Sequence, residues 1–404
     1  MAAAASPAVT LIGAFMLIVY LALAGATPGS VRWKFMTGSS VLSSPVLSPD
    51  GSTIYVGSND HSLYAVGAET GHVRWKMTTG NEVRSSPVVS ADGTKVFVGS
   101  NDKSLYAVDA ATGKIMWSFA TGSAFGDGSP GISPDGRTVF VGSTSNGSFN
   151  GTLHAIDATT GAEQWHCRLN RTGEVGGALN PVVSHDGQTV FVAGTADDSL
   201  HAVDASSGAK RWSFKTGYGV YSWALSYTDS VGKTTVFFGS EDENLYAVDG
   251  ATGSLRWKFA TGLAVRSRPA LGPDGLTLYF GSEDSSLYAL DAADGTMKWN
   301  YTTRGYIYSS PVVSGGGATV FVGSQDGSLY AVDTATGSKR WTFVAPETCR
   351  SLPVNIQSSP TLDNDSSTVY FGVGCAFAGP AHPESLPLYA VWTGDRVGAL
   401  MGNE

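Results

Sequence analysis

The chain has 404 residues, of which 51 are glycine and only 15% are charged, and it carries a formal net charge of −9. That composition suits short strands joined by tight turns, so an all-β protein is expected. An acidic balance without any Lys/Arg-rich run excludes a nucleic-acid partner held through its phosphates, and it excludes adhesion to anionic membrane surfaces.

Residues 1–26 differ in kind from the rest. Ala8 to Ala26 is uncharged and largely apolar, Ala24-Gly25-Ala26 offers the small residues that a signal peptidase reads, and Thr27-Pro28-Gly29-Ser30 breaks any helix. The segment is expected to be a signal peptide or, since it approaches the length of a bilayer span, an uncleaved signal anchor. Either places the chain in the secretory pathway, extracellular or lumenal. No cysteine stands near the start, which excludes a lipoprotein anchor.

Val31-Arg32-Trp33-Lys34-Phe35 reads as a lone outer strand, and repeats begin after it. A Leu-Tyr-Ala-Val block or close variant starts at Leu63, Leu105, Leu153, Leu200, Leu245, Leu287, Leu329 and Leu388. A Val-Phe-Val-Gly-Ser-like run precedes each block, and a turn ending in glycine follows it. Four residues past that glycine stands Trp75, Trp117, Trp165, Trp212, Trp257, Trp299 or Trp341, while the eighth slot holds Gly398. Four strands in a period of roughly 42 to 48 residues make one propeller blade. The expected fold is therefore an eight-bladed β-propeller over 31–398, with Trp33 and its strand completing the last blade.

The eight tryptophans are expected to be structural, because a buried indole removes roughly 150 to 250 Å² from water. Recurrent aspartates, Asp60, Asp102, Asp242, Asp284 and Asp326, stand one to a loop, too sparse for the six to eight oxygens of a calcium site, and read as turn residues. No histidine has a metal-ligand spacing along the chain, so no metal site is expected. Cys349 and Cys375 flank the irregular final repeat and are candidates for a disulfide, whereas Cys167 takes a slot that sister repeats give to phenylalanine.

The block Leu-Tyr-Ala-Val-Asp-x-x-Thr-Gly-x-x-x-Trp resembles the PQQ-like repeat, which quinoprotein dehydrogenases share with non-enzymatic propellers that bind other polypeptides. The resemblance implies the fold over nearly the whole chain and says little about function, because the repeat is the blade's skeleton. The dehydrogenases use an adjacent Cys-Cys pair, a calcium-holding Glu/Asn/Asp cluster and a catalytic aspartate. None can be matched here by motif, so no catalytic residue and no cofactor are expected. A PQQ- and calcium-dependent oxidoreductase acting on alcohols or sugars is the alternative, and a hydrolase or lyase at the channel mouth rests on fold analogy alone.

Slots that vary between repeats are where partner contacts can hide. The slot before Ser-Ser-Pro varies most: Leu42, Arg84, Asp127, Ala178, Tyr221, Arg266, Tyr308 and Gln357, with Glu82, Tyr218, Trp223, Arg268 and Tyr306 nearby. Tyr, Trp and Arg gathered on a rim anchor protein interfaces or glycans. Arg84, Asp127, Tyr221, Trp223, Arg266, Tyr308 and Gln357 are thus the candidate binding rim of a monomeric scaffold. Glycosylation sequons stand at Asn146, Asn150, Asn170 and Asn364, and less suitably at Asn300.

Overall fold

Within each repeat the two middle strands are largely apolar and mostly buried, whereas the outer strand alternates. Thr53–Ser58 and Ser62–Gly67 are buried along their whole length, and Val31–Met36 alternates between half-buried and exposed. A strand covered on both faces by other sheets must be apolar at every position; one at the periphery needs only every second residue inside. In the computed structural model, which describes residues 27–122, 124–125, 128–144, 151–168, 180–194, 197–349, 352–375 and 385–395, these runs form eight four-stranded antiparallel sheets. Numbered along the chain, blades 1 to 7 lie within 46–78, 88–120, 131–168, 182–215, 225–260, 270–302 and 312–344. Blade 8 takes three strands from 361–392 and its outer strand from Val31–Met36.

That last pairing closes the ring. Trp33 faces Ala390, Lys34 faces Tyr389 and Phe35 faces Leu388 in antiparallel register, so no sheet edge is left open at the junction of the chain ends.

The core lies between blades rather than within any one of them. Tyr55, Leu63 and Ala65 of blade 1 pack with Val96, Val98 and Val108 of blade 2. Each outer-strand tryptophan locks its blade to the following one. Trp75 Nε1 donates to Ala110 O at 2.9 Å, Trp212 to Gly250 O at 3.1 Å, and Trp341 to Thr393 O at 2.8 Å. Within its own blade the same ring packs on an aromatic of the second strand, as Trp75 does on Tyr55 with centroids 5.7 Å apart. The glycine before each tryptophan strand is the landing platform for the preceding indole. Gly71 has φ +70°, and a Cβ there would lie 2.7 Å from Trp33, so both its conformation and its bareness are required.

Asp-Gly turns supply the first hairpins: Gly93, Gly136, Gly187 and Gly275 all have positive φ. In the closing repeat the short hairpin Thr348–Cys349/Leu352–Pro353 is tied down by a disulfide from Cys349 to Cys375, Cα atoms 5.8 Å apart. Gly398 lies outside the described residues, as do residues 1–26. Among the described residues no helix is long and apolar enough to cross a membrane.

Candidate functional site at the channel mouth

The connections between blades and the loops preceding the third strands share one face of the ring. Backbone bonds join them: Asn59 N to Ser40 O at 3.0 Å, Glu241 N to Gly219 O at 2.9 Å, and Glu283 N to Ala264 O at 2.9 Å. The recurrent loop aspartate fixes this arrangement. Asp284 Oδ2 accepts the Tyr288 hydroxyl at 2.7 Å and the Gly262 N–H at 2.8 Å, and Asp60, Asp102 and Asp242 repeat the pattern with Tyr64, Tyr106 and Tyr246. Burial, then the carboxylate bond, pushes the Tyr288 phenol up to about 12. These carboxylates are engaged in holding the face together.

On that face Arg266, itself exposed, is flanked by two aromatic rings and two carboxylates. Its guanidinium lies 5.3 Å from the Tyr221 ring centroid and 5.6 Å from that of Tyr308. It also pairs with Glu241 at 2.5 Å and with Glu283 at 2.8 Å. Tyr306 meets Tyr308 edge-on at 6.2 Å. Burial, followed by the neighbouring glutamates, raises both Tyr221 and Tyr308 above the usual phenol range. An arginine satisfied by two carboxylates and two aromatic faces is a brace. What the cluster offers outward is tyrosine beside the exposed part of Arg266: Tyr218 is 62% exposed, Tyr306 43% and Tyr221 36%.

Of the rim residues read from the sequence, Tyr221, Arg266 and Tyr308 come together across blades 5, 6 and 7. Arg84 stands apart on blade 2, paired with Glu82 at 2.8 Å. Gln357 is half-buried at the entry to blade 8. Asp127 and Ala178 lie outside the described residues. Glu241 and Glu283, which the comparison of variable slots missed, occupy a position where other repeats carry Asn59, Asn101 and Gln325; their acidity is the signal that could have found them.

Trp223 belongs one level deeper. There, on the innermost strands, a girdle of hydrogen bonds runs from blade to blade: Ser44 N to Ser86 Oγ, Ser86 N to Ser129 Oγ and Ser129 N to Asn180 Oδ1, each 2.9 Å. It resumes with Arg268 N to Ser310 Oγ at 3.0 Å, Ser310 N to Ser359 Oγ at 2.9 Å and Ser359 N back to Ser44 Oγ at 2.9 Å. The break falls at blades 5 and 6, where Trp223 and Arg268 replace the small acceptors and put bulk at the axis. Burial lowers the Arg268 guanidinium below its ordinary value.

Elsewhere, Asn364 is exposed at a blade 8 turn, while Asn146, Asn150 and Asn170 lie outside the described residues. Cys167 is half-buried beside Trp165 and Val183, and burial pushes its thiol up to about 11. The three cysteines include no adjacent pair, and the two that are bonded lie 26 residues apart.

Comparison with known proteins bears on this geometry. A family model described as outer membrane protein assembly factor BamB, built on the PQQ-like repeat, matches residues 20–149, 124–268 and 241–379. The chain belongs to this PQQ-repeat family. No curated protein matches it. Among solved structures, the PQQ-repeat fold is shared with BamB from Moraxella catarrhalis, at 18% identity and a TM-score of 0.67 over 89% of this chain and 99% of that one. It is shared also with a europium-containing methanol dehydrogenase, at 16% identity and a TM-score of 0.74 over 90% and 93%. The quinohemoprotein alcohol dehydrogenase ADHIIG from Pseudomonas putida HK5 gives 16% and 0.72 over 91% and 77%. At these identities the likeness is one of fold.

Proposed function

We propose that this PQQ-repeat propeller is a protein-binding scaffold of the secretory route that captures a polypeptide at the tyrosine-lined quarter of its channel mouth. One observation carries the reading: Arg266 draws Tyr221 and Tyr308 into place across three blades, and Tyr218 and Tyr306 stand exposed beside them. Tyrosine is a rigid, amphipathic anchor that loses little entropy on binding, and hot spots of protein interfaces are enriched in it. The family description, an outer membrane protein assembly factor, and the M. catarrhalis BamB fold lend the reading support. The Cys349–Cys375 bond fits an oxidising compartment. Export and any membrane tether through residues 1–26, and glycans at Asn364, belong to the same proposal. Neither a cofactor nor a nucleic acid is needed for it.

The test is a photo-cross-linking amino acid placed at Tyr218 or Tyr306 and, as control, at Val231, an exposed turn position at the first hairpin of blade 5. In the secreted fraction of the native host, a discrete adduct is expected from the two tyrosine positions and not from Val231. It should be lost when Tyr221→Ala and Tyr308→Ala are added. Equal labelling from all three positions would overturn the assignment.

A further inference from the structure

Blade 3 departs from its sister blades at three slots at once. Where Leu-Tyr-Ala-Val puts Tyr64 or Tyr246 it has His154; where the outer strands carry Lys76 or Lys258 it has His166; and where they carry Val73 or Leu255 it has Glu163. In blade 1 the corresponding pair is an ordinary contact, with the Lys76 ammonium 5.0 Å from the Tyr64 ring. In blade 3 all three replacements are metal-ligating side chains, and the sheet brings them together. His154 and His166 are directly paired across neighbouring strands, and a register shift follows at Ile156 and Glu163. Distance along the chain conceals this pairing.

The donor atoms converge. His154 Nδ1 lies 2.8 Å from Glu163 Oε1 and His166 Nδ1 lies 3.1 Å from the same oxygen, and one ligand atom from each residue falls within 4.8 Å of the others. Around a tetrahedral ion with bonds of about 2.1 Å, neighbouring ligand atoms are about 3.4 Å apart. Both His–Glu separations are already near that value, and His166 is the more exposed of the two histidines. His154 is also held as ligating histidines are: its Nε2 meets Ser143 Oγ at 3.0 Å, leaving Nδ1 aimed at the cluster, and Phe119 packs edge-on against the ring at 5.6 Å.

We infer that His154, Glu163 and His166 form a binding site for one divalent transition-metal ion, with zinc the best match to two imidazoles and one carboxylate. This site is separate from the channel mouth, and its fate is independent of the scaffold reading.

The test uses tag-free full-length protein stripped with a chelator and titrated with Zn2+ against a chromophoric competitor, then with Co2+ for its ligand-field spectrum. One equivalent of zinc is expected to bind, and Co2+ should give the intense visible bands of a tetrahedral site. His154→Tyr and His166→Lys restore the residues that sister blades fold with, so they preserve the blade, and each should weaken binding at least ~10-fold. His201→Tyr, which alters the other histidine in a tyrosine slot, should leave binding unchanged. Absence of zinc binding to the parent protein, or binding undiminished in His154→Tyr and His166→Lys, would overturn the site.

Discussion

Trp33 donates its indole N–H to the carbonyl oxygen of Ala68 at 2.9 Å. Trp33 belongs to the strand that finishes blade 8, and Ala68 to blade 1, so this bond joins the first and last blades where the ring closes. It is the same bond that the other seven outer-strand tryptophans make to the following blade, from Trp75 to Ala110 through Trp341 to Thr393.

Trp33→Ala is expected to destabilise the protein by about 3–5 kcal/mol, as truncation of a large packed aromatic does. Gly71→Ala, which puts a methyl into the platform at positive φ, should cost at least about 1–3 kcal/mol. Because both changes strike one contact, the double variant should lose less than the sum. Urea unfolding followed by tryptophan fluorescence measures all three, and strict additivity would show that the two residues do not act together.

Removing the disulfide tests how the irregular closing repeat is held. Cys349 and Cys375 close a loop with a separation of 26 residues, and a cross-link of that length is worth about 3.5 kcal/mol in the loop-entropy account. Cys349→Ser/Cys375→Ser should lower the urea midpoint correspondingly, and a reductant should lower the parent protein's midpoint without affecting the variant.

The break in the girdle predicts a stabilising substitution. Arg268→Ser removes a desolvated cation from the axis and supplies the hydroxyl acceptor that other blades use, so a gain of about 1 kcal/mol is expected. A thermal melt reads the change, and a loss of stability would show that the arginine is held by interactions that serine cannot replace.

Acid stability should depend on the turn aspartates. The Arg256 and Arg340 guanidiniums beside Asp249 and Asp333 hold those carboxyls at about 2, against an ordinary value of 3.8. A carboxylate with a depressed folded pKa stabilises the fold above its unfolded value, and that stabilisation is lost as pH falls through the folded one. The urea midpoint of the parent should therefore decline from about 3.8 down to about 2, and Asp249→Asn/Asp333→Asn should flatten that decline.

Much of the architecture is legible in the chain because a blade is a local object. Leu63, Gly71 and Trp75 recur at one spacing seven times, and the absence of a tryptophan at Gly398 in the eighth repeat together with the surplus Trp33 predicts the closing strand. The site is far less legible. Comparing variable slots points to Tyr221, Arg266 and Tyr308, yet only the ring geometry places them on adjacent blades around one guanidinium, with Glu241 and Glu283 supplied from different loops. For the same reason the sequence gives no hint that Arg84 pairs within its own connection and stands apart from the cluster.

His154 and His166 show the limit most clearly. Twelve positions apart in sequence, they have no metal-ligand spacing, and sequence reading by itself expects none. The antiparallel pairing of two strands sets them side by side with Glu163. Periodicity determined the blades, their number and their closure, because each depends on contacts that repeat along the chain. Which non-repeating side chains share a site was decided only by the tertiary structure, because it depends on register and on the meeting of blades, which no interval between residues records.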